Sequence, residues 1–396
     1  MRGFRKTSQF NRKIRGGMQN MQHEQHMHAA LELAQCGRGF VEPNPMVGCV
    51  IVRHNKIIAR GYHTRFGQPH AEVAAIKNAD GADLSDATLY VTLEPCSHTG
   101  KTPPCVDAIL KTGIKNVVTA MRDPNPLVNG KGLQILRQNG ISITENVLQA
   151  EAERLNAPYL TLLRKKRPWI IGKWSMTLDG KLATRTGNSS WISNPESRNI
   201  VQHTRSRMDA VMIGSGTARL DNPLLTVRLT DSERKYPRNP LRIVLDSQAE
   251  LPTANQLVQT AAEHETLIVT ASGAPPQRIE DLRRSGCEVL PLPQSTPSER
   301  LLALLAELGN RRMTNLLVEG GGCLFGTLFD MQLIDEVHAF IAPKIIGGNE
   351  AVPVIGGNGV EQMPMAALLH SPQVQMVGND IYIQGTVDYT KICDNG

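Results

Sequence analysis

Two short strings constrain this chain more than anything else in it. His70-Ala71-Glu72 opens a helical stretch, and PCSHTGKTPPC, residues 95–105, carries Cys96 and Cys105 into another. One imidazole and two thiolates satisfy zinc and leave a fourth tetrahedral position for water, so a fold that uses them has to bring two helix starts together over one ion. The positive end of each helix then favours the thiolates and the charge of the activated water. Glu72 stands two residues from His70 and need not coordinate. It can take a proton from the water and hand it to a leaving amine, the division of labour of a hydrolytic deaminase.

The general signature of such enzymes is H-x-E followed by P-C-x-x-C, whereas eight residues separate the cysteines here, so spacing alone does not establish the site. A purely structural zinc would need a fourth protein ligand, with His98 available for it. A metal-free reading makes His70 a helix cap and Glu72 a surface charge. The order of the ligands, with a strand between them, favours the catalytic reading, and a structural site has no use for a carboxylate beside the open position.

Periodicity supplies the frame. Met27, Ala30, Leu31 and Ala34 recur at helical spacing over 25–34. Strands at 47–52 and 56–62 read as a hairpin turning at His54-Asn55, followed by a helix over 70–76, a strand over 88–93, a helix over 106–111, a strand over 116–121, a helix over 133–138 and a strand over 141–147. Such alternation predicts a layered α/β domain. A helix over 151–163 leads to Arg164-Lys165-Lys166-Arg167-Pro168, read as a solvated linker and domain boundary. Beyond it, strands are expected at 169–174, 210–214, 241–246, 266–270, 316–319, 337–342 and 381–386, with helices at 195–207, 298–308 and 324–330. The stretch 248–294 gives the weakest signal. The division expected is a disordered basic arm over 1–20, a first domain over 21–165 and a second over 166–396, since 396 residues exceed what one core usually supports.

Arg2, Arg5, Lys6, Arg12, Lys13 and Arg15 equal the whole formal charge of +6, so basicity makes no case for a nucleic-acid binder. Aromatic residues at 4% offer few platforms for flipped bases, which speaks against a deaminase of tRNA or cytidine with an unrelated second domain. No stretch approaches the roughly 20 apolar residues of a membrane span. Seven scattered cysteines do not make a disulfide scaffold and suit a reducing cytoplasm. His23, His26 and His28 are read as a frayed helix start rather than a metal tract.

Further strings belong with these: EPNPMVGCVIV (42–52), GYH (61–63), AMRDPNP (120–126), KWSMTLDGKLAT (173–184), SWIS (190–193), the run 214–228, VEGGG (318–322) and IAPKIIGG (341–348). Over about residues 21–390 the chain resembles the bifunctional riboflavin-biosynthesis deaminase-reductases, whose cysteines carry this wider spacing. The resemblance implies an α/β chain: a three-layer cytidine-deaminase-like domain, then a dihydrofolate-reductase-like domain. It implies zinc-dependent deamination of a 2,5-diamino-6-ribosylamino-pyrimidinone 5-phosphate, then reduction of the ribosyl chain of the uracil product to ribityl with NADPH. Partners are then small phosphorylated pyrimidines, with no nucleic acid or membrane, in a homo-oligomer of two or four chains.

Carried over by position, Asn44, His63, His98, Lys101, Asp123 and Asn125 would contact the first substrate. Asn offers a donor and an acceptor to a pyrimidine edge, and Lys101 with the histidines can meet a phosphate. Taken alone, Asn44 between two prolines and Asp123-Pro124-Asn125-Pro126 are also ordinary turn chemistry. NADPH would lie near Ser175, Trp191, Thr217, Asp221, Ser247 and the loop holding Gly321, Gly322 and Thr327, and the second substrate near Ser189, Arg205, Leu225, Arg228 and Glu319. The glycine loop closes a strand and opens a helix, as phosphate-cradling loops do, but it is not the G-x-G-x-x-G of an ordinary dinucleotide fold. Arg205 and Arg228 form a reasonable phosphate clamp. Lys173 and Glu319 are candidates for polarising the ribosyl carbon or supplying its proton.

Overall fold

The computed structural model describes residues 20–99, 103–126, 128–233, 235–236 and 239–390; the basic arm, up to residue 19, and Lys101 lie outside them. The chain divides into two compact units, Met1–Arg164 and Lys165–Gly396.

In the first unit a helix over 20–35 (α1) precedes β1 (Gly48–Arg53), β2 (Lys56–Tyr62), α2 (Ala71–Asn78), β3 (Thr88–Val91), α3 (Cys105–Leu110), β4 (Asn116–Thr119), α4 (Lys131–Gln138), β5 (Ser142–Thr144), α5 (Gln149–Leu155) and α6 (Ala157–Lys165). The sheet runs β2-β1-β3-β4-β5. β1 is antiparallel to both β2 and β3, and β3, β4 and β5 run parallel. His54 and Asn55 both take positive φ, 47° and 61°, as the tight two-residue hairpin turn demands. Alternation along the strands builds two cores. Cys49, Ile51, Leu89 and Val117 face Ala71, Val106 and Leu136 of α2, α3 and α4, whereas Val50, Tyr90 and Val118 face Met27, Ala152 and Leu160 of α1, α5 and α6. Helices on both faces give three layers.

The single helix expected over 151–163 is two. Buried Asn156 separates them: its Oδ1 accepts from Met46 N at 2.8 Å and its Nδ2 donates to Met46 O at 3.0 Å, pinning the loop ahead of β1. The histidine-bearing start of α1 is packed rather than frayed. His26 is buried and bonds Asn55 Oδ1 at 2.8 Å, and His23 bonds the Tyr90 hydroxyl at 2.9 Å.

The second unit contains β6 (Trp169–Thr177), β7 (Lys181–Ala183), α7 (Pro195–Arg205), β8 (Ala210–Gly214), α8 (Ser215–Asp221), β9 (Leu241–Leu245), α9 (Gln256–Gln259), β10 (Thr266–Ala271), α10 (Pro276–Arg284), β11 (Glu288–Leu292), α11 (Pro297–Asn310), β12 (Asn315–Val318), α12 (Gly322–Asp330), β13 (Glu336–Ala342), β14 (Val352–Pro353), β15 (Leu368–Val377) and β16 (Asp380–Asp388). Nine strands form one sheet in the order β11-β10-β9-β8-β12-β6-β13-β16-β15. It is parallel from β11 to β13 and antiparallel at β16 and β15. Helices α11 and α12 cover one face and α8, α9 and α10 the other. The basic run at the boundary is not all solvated linker: Arg167 is buried and forks onto Asp335 at 2.5 and 2.9 Å, while Arg164 and Lys165 remain exposed.

Candidate active sites

In the first unit, α2 and α3 begin beside the end of β3 and deliver their first residues to one point. His70 is the N-cap of α2 and Cys105 the first residue of α3. The ligand atoms of His70, Cys96 and Cys105 all lie within 4.8 Å of one another. His70 Nδ1 stands 3.3 Å from Cys105 Sγ and 3.5 Å from Cys96 Sγ. With Zn–N near 2.0–2.1 Å and Zn–S near 2.3 Å, the edge of a ligand tetrahedron is about 3.5 Å, so the three side chains stand at the spacing zinc requires. Among the described residues they form the one such cluster, and His98 does not join it as a fourth ligand.

The three side chains are electrostatically coupled. Hydrogen bonding from Cys105 holds Cys96 well below the ordinary thiol range, against the opposing effect of burial, and Cys105 is pushed up in turn. Bonding to Cys96 raises His70. Glu72 is buried at 3% exposure beside them, and burial first, then the Cys96 thiolate, push its carboxyl up to about 7. A carboxyl poised there changes protonation state readily near neutral pH.

Of the expected substrate contacts, His63 and, through it, Asn44 adjoin this point. The ring of His63 meets His70 edge-on with centroids 5.2 Å apart. Its Nε2 is 3.3 Å from Asn44 Nδ2 and its Nδ1 3.2 Å from Pro69 O; burial lowers its pKa. Buried Asp123 receives the Asn125 backbone N–H and the Tyr159 hydroxyl, each at 2.9 Å, and burial raises its pKa. Nδ1 of His98 is buried without a protein partner.

In the second unit the strand order reverses between β8 and β12, and their C-terminal ends part around a cavity of about 540 Å³. Open parallel sheets bind ligands at such a switch point. Gly320 and Gly321 bring the turn after β12 to the cavity's lining, and a Cβ on Gly321 would come within 3.3 Å of Thr217 Oγ1. Lys173, Ser175, Ser189, Trp191, Arg205, Thr217, Asp221, Leu225, Arg228, Glu319 and Gly321 all line the cavity. Ser247, Gly322 and Thr327 do not. Ser247 Oγ accepts from Arg300 at 2.9 Å, Gly322 is packed where a Cβ would lie 2.6 Å from Pro353 O, and Thr327 turns back onto Cys323 O at 3.1 Å.

The floor of the cavity is a charged triad. Arg205, buried at 5% exposure, donates Nε and Nη2 to Glu319 Oε1 at 2.9 and 2.7 Å and Nη1 to Thr226 O at 2.8 Å. Lys173 Nζ lies 3.8 Å from Glu319 Oε2. The expected two-arginine clamp is therefore not built that way: the fork of Arg205 is taken by a carboxylate, and Arg228 is the exposed member of the pair. Burial lowers the Lys173 pKa, opposed by Glu319. For Glu319 burial pushes upward, but Arg205 and Lys173 outweigh it and hold the carboxyl below its ordinary range. Sequence reasoning missed Arg198, which places its guanidinium over the Trp191 ring at 4.6 Å. The run Asn194-Pro195-Glu196-Ser197-Arg198, a capped helix start just after Trp191, was the available signal.

Residues 20–121 match the cytidine and deoxycytidylate deaminase zinc-binding region, and residues 168–383 match the RibD C-terminal domain. The riboflavin biosynthesis protein RibD of Actinobacillus pleuropneumoniae is 42% identical over 91% of this chain and 94% of its own. This chain belongs to the RibD family. The Escherichia coli K12 RibD is 39% identical over 91% of this chain and 98% of its own. Among solved structures, a Thermotoga maritima diaminohydroxyphosphoribosylaminopyrimidine deaminase/5-amino-6-(5-phosphoribosylamino)uracil reductase superposes with a TM-score of 0.79 at 36% identity, covering 93% of this chain and 100% of its own. Acinetobacter baumannii RibD gives 0.80 at 32%, covering 93% and 99%. As a RibD-family protein the chain is a bifunctional enzyme of riboflavin biosynthesis, a zinc-binding deaminase domain joined to a reductase domain, and the α/β reading of both halves holds.

Proposed function

We propose that the first domain deaminates a 2,5-diamino-6-(5-phosphoribosylamino)pyrimidin-4-one and that the second reduces the ribosyl chain of the uracil product with NADPH. The observation that carries this is the convergence of His70, Cys96 and Cys105 at tetrahedral spacing beside buried Glu72. Zinc held there supplies an activated water. Glu72 takes a proton on its carboxylate and returns it to the amine, which leaves as ammonia. Asn44, His63, His98, Asp123 and Asn125 hold the pyrimidine and its phosphate arm, with Lys101 assigned there on sequence alone.

In the second domain NADPH supplies the hydride. Trp191, Thr217, Asp221 and Gly321, with Ser175, line its place, and Ser247, Gly322 and Thr327 are assigned to it on sequence alone. Ser189, Leu225 and Arg228 orient the phosphorylated sugar. Lys173, positioned by Glu319 and Arg205, gives the proton that accompanies reduction of the ribosyl carbon. A coupled assay tests the whole reading. Ammonia release from the diaminopyrimidine phosphate should stop with a zinc chelator, whereas NADPH oxidation on the uracil product should continue. Loss of both activities, or of neither, would contradict it.

The units proposed are the basic arm to residue 20, the deaminase over 21–165 and the reductase over 166–396, working in the cytoplasm as a homo-oligomer. The described cysteines stand as free thiols, and no helix among the described residues is long and apolar enough to cross a membrane. Edge strand β15 exposes Val374 by 64% and Met376 by 66%, a surface that a second chain would cover. Light scattering should give a multiple of 43.4 kDa, and a monomer at micromolar concentration would overturn this.

A further inference from the structure

Glu94 is a carboxylate that neither reaction uses, yet it is one of the most deeply set in the first unit, at 3% exposure, two residues before Cys96. Among the described residues, the hydrogen bonds its carboxylate accepts all come from backbone N–H groups. Oε2 accepts from Asp123 N at 3.3 Å and Gly130 N at 2.9 Å, and Oε1 from Gly132 N at 3.0 Å and Leu133 N at 3.4 Å. These donors are the two ends of one loop. Asp123 begins it, just after β4, and Gly132 and Leu133 are the first turn of α4.

The cap of α4 explains why the carboxylate comes from elsewhere. Gly130 occupies the N-cap in the left-handed region, φ 83°, and has no side chain to accept the free N–H groups of the first turn. A remote carboxylate takes that place and meets the positive end of the helix. The approach is close: a Cβ on Gly132 would fall 2.0 Å from Pro95 O, so α4 sits directly on the backbone leading to Cys96. Glu94 N also donates to Met121 O at 3.0 Å. One residue thereby fastens the strand end that carries a zinc ligand to both ends of the loop that carries Asp123 and Asn125.

We propose that Glu94 is a positioning residue of the deaminase, fixing the 123–133 loop against the Cys96 segment so that Asp123 and Asn125 stand at a set distance from the metal. The inference rests on the reading that those two residues contact the pyrimidine. Glu94→Gln keeps the shape but replaces one acceptor oxygen by a donor, so two of the four N–H groups lose their partner and the loop loosens at one end. Misplacement by a fraction of an ångström weakens binding and alignment of the substrate rather than proton transfer itself.

The expected result for full-length Glu94→Gln is a KM for the diaminopyrimidine phosphate raised about tenfold or more, with one zinc per chain retained and reductase turnover on the uracil product unchanged. A KM equal to the native value in the zinc-replete protein would overturn the proposal, even if the melting temperature fell, because that is what a purely structural cap would give. Should Glu94→Gln fail to hold zinc, Glu94→Asp decides: its shortened carboxylate still accepts but cannot reach both ends of the loop, so the KM should rise with zinc content intact, and a native KM overturns the proposal. Asn125→Ala separates the two readings. If it leaves the KM untouched, the substrate assignment fails; if it raises the KM while the Glu94 variants do not, the positioning role fails.

Discussion

Glu72→Gln stops ammonia release while leaving the metal in place. The amide matches the carboxylate in shape but cannot carry a proton, so the reaction loses both the group that draws a proton from water and the group that protonates the amine. General acid-base catalysis is worth about 10²- to 10⁴-fold, and a single residue serving both steps belongs at the upper end. Turnover of the diaminopyrimidine phosphate is therefore expected to fall by about 10³-fold or more. Glu72 is not among the three converging ligands, so zinc measured by atomic absorption stays at one per chain. Its side chain is buried and already pushed toward the neutral form, chiefly by that burial, so a neutral amide leaves the melting temperature level or raises it. Reductase turnover on the uracil product persists. Retention of a tenth of the native deamination rate would remove Glu72 from the mechanism.

What could be read from the sequence followed from how local each feature is. His70, Glu72, Cys96 and Cys105 sit in two strings whose chemistry is legible residue by residue, because the elements that carry them begin at the ligands themselves. The central strands of the second unit were legible because both faces are buried, giving continuous apolar runs such as Ala210–Gly214 and Asn315–Val318. The two strands of the nine-stranded sheet that escaped notice, β11 and β15, are its edges. Most of β15 faces solvent, so no apolar alternation marks it.

Side-chain roles built across long separations were not legible at all. Asn156 breaks a helix because it bonds Met46, 110 residues earlier. Glu94 reaches Leu133, 39 residues on. Arg205 had the chemistry of a phosphate ligand, and only the fold shows that Glu319, 114 residues away, occupies its guanidinium. In each case residue type was a sound guide to the kind of partner, an acceptor, a row of donors or an anion, and gave no information about which one the fold would bring.

The same triad yields the second large effect, on Lys173. Its ammonium lies on β6 at the cavity floor, 3.8 Å from a carboxylate already bound by two Arg205 N–H groups. Lys173→Met removes the proton source and leaves Glu319 paired with Arg205, so no buried carboxylate is stranded and the fold should stand. Reductase turnover is expected to fall by about 10²-fold or more, while deamination in the other unit is unchanged. The pH dependence supplies an independent check. Burial lowers the Lys173 pKa, and the donor is active when protonated, so native reductase turnover declines as pH rises through a value below the ordinary lysine range. Lys173→Arg keeps a positive charge that cannot be lost in that range, so any turnover it retains should show no such alkaline decline. If Lys173→Met reduces substrate at the native rate, or if the alkaline limb survives in Lys173→Arg, the proton comes from another group and the triad serves only to hold the floor of the cavity together.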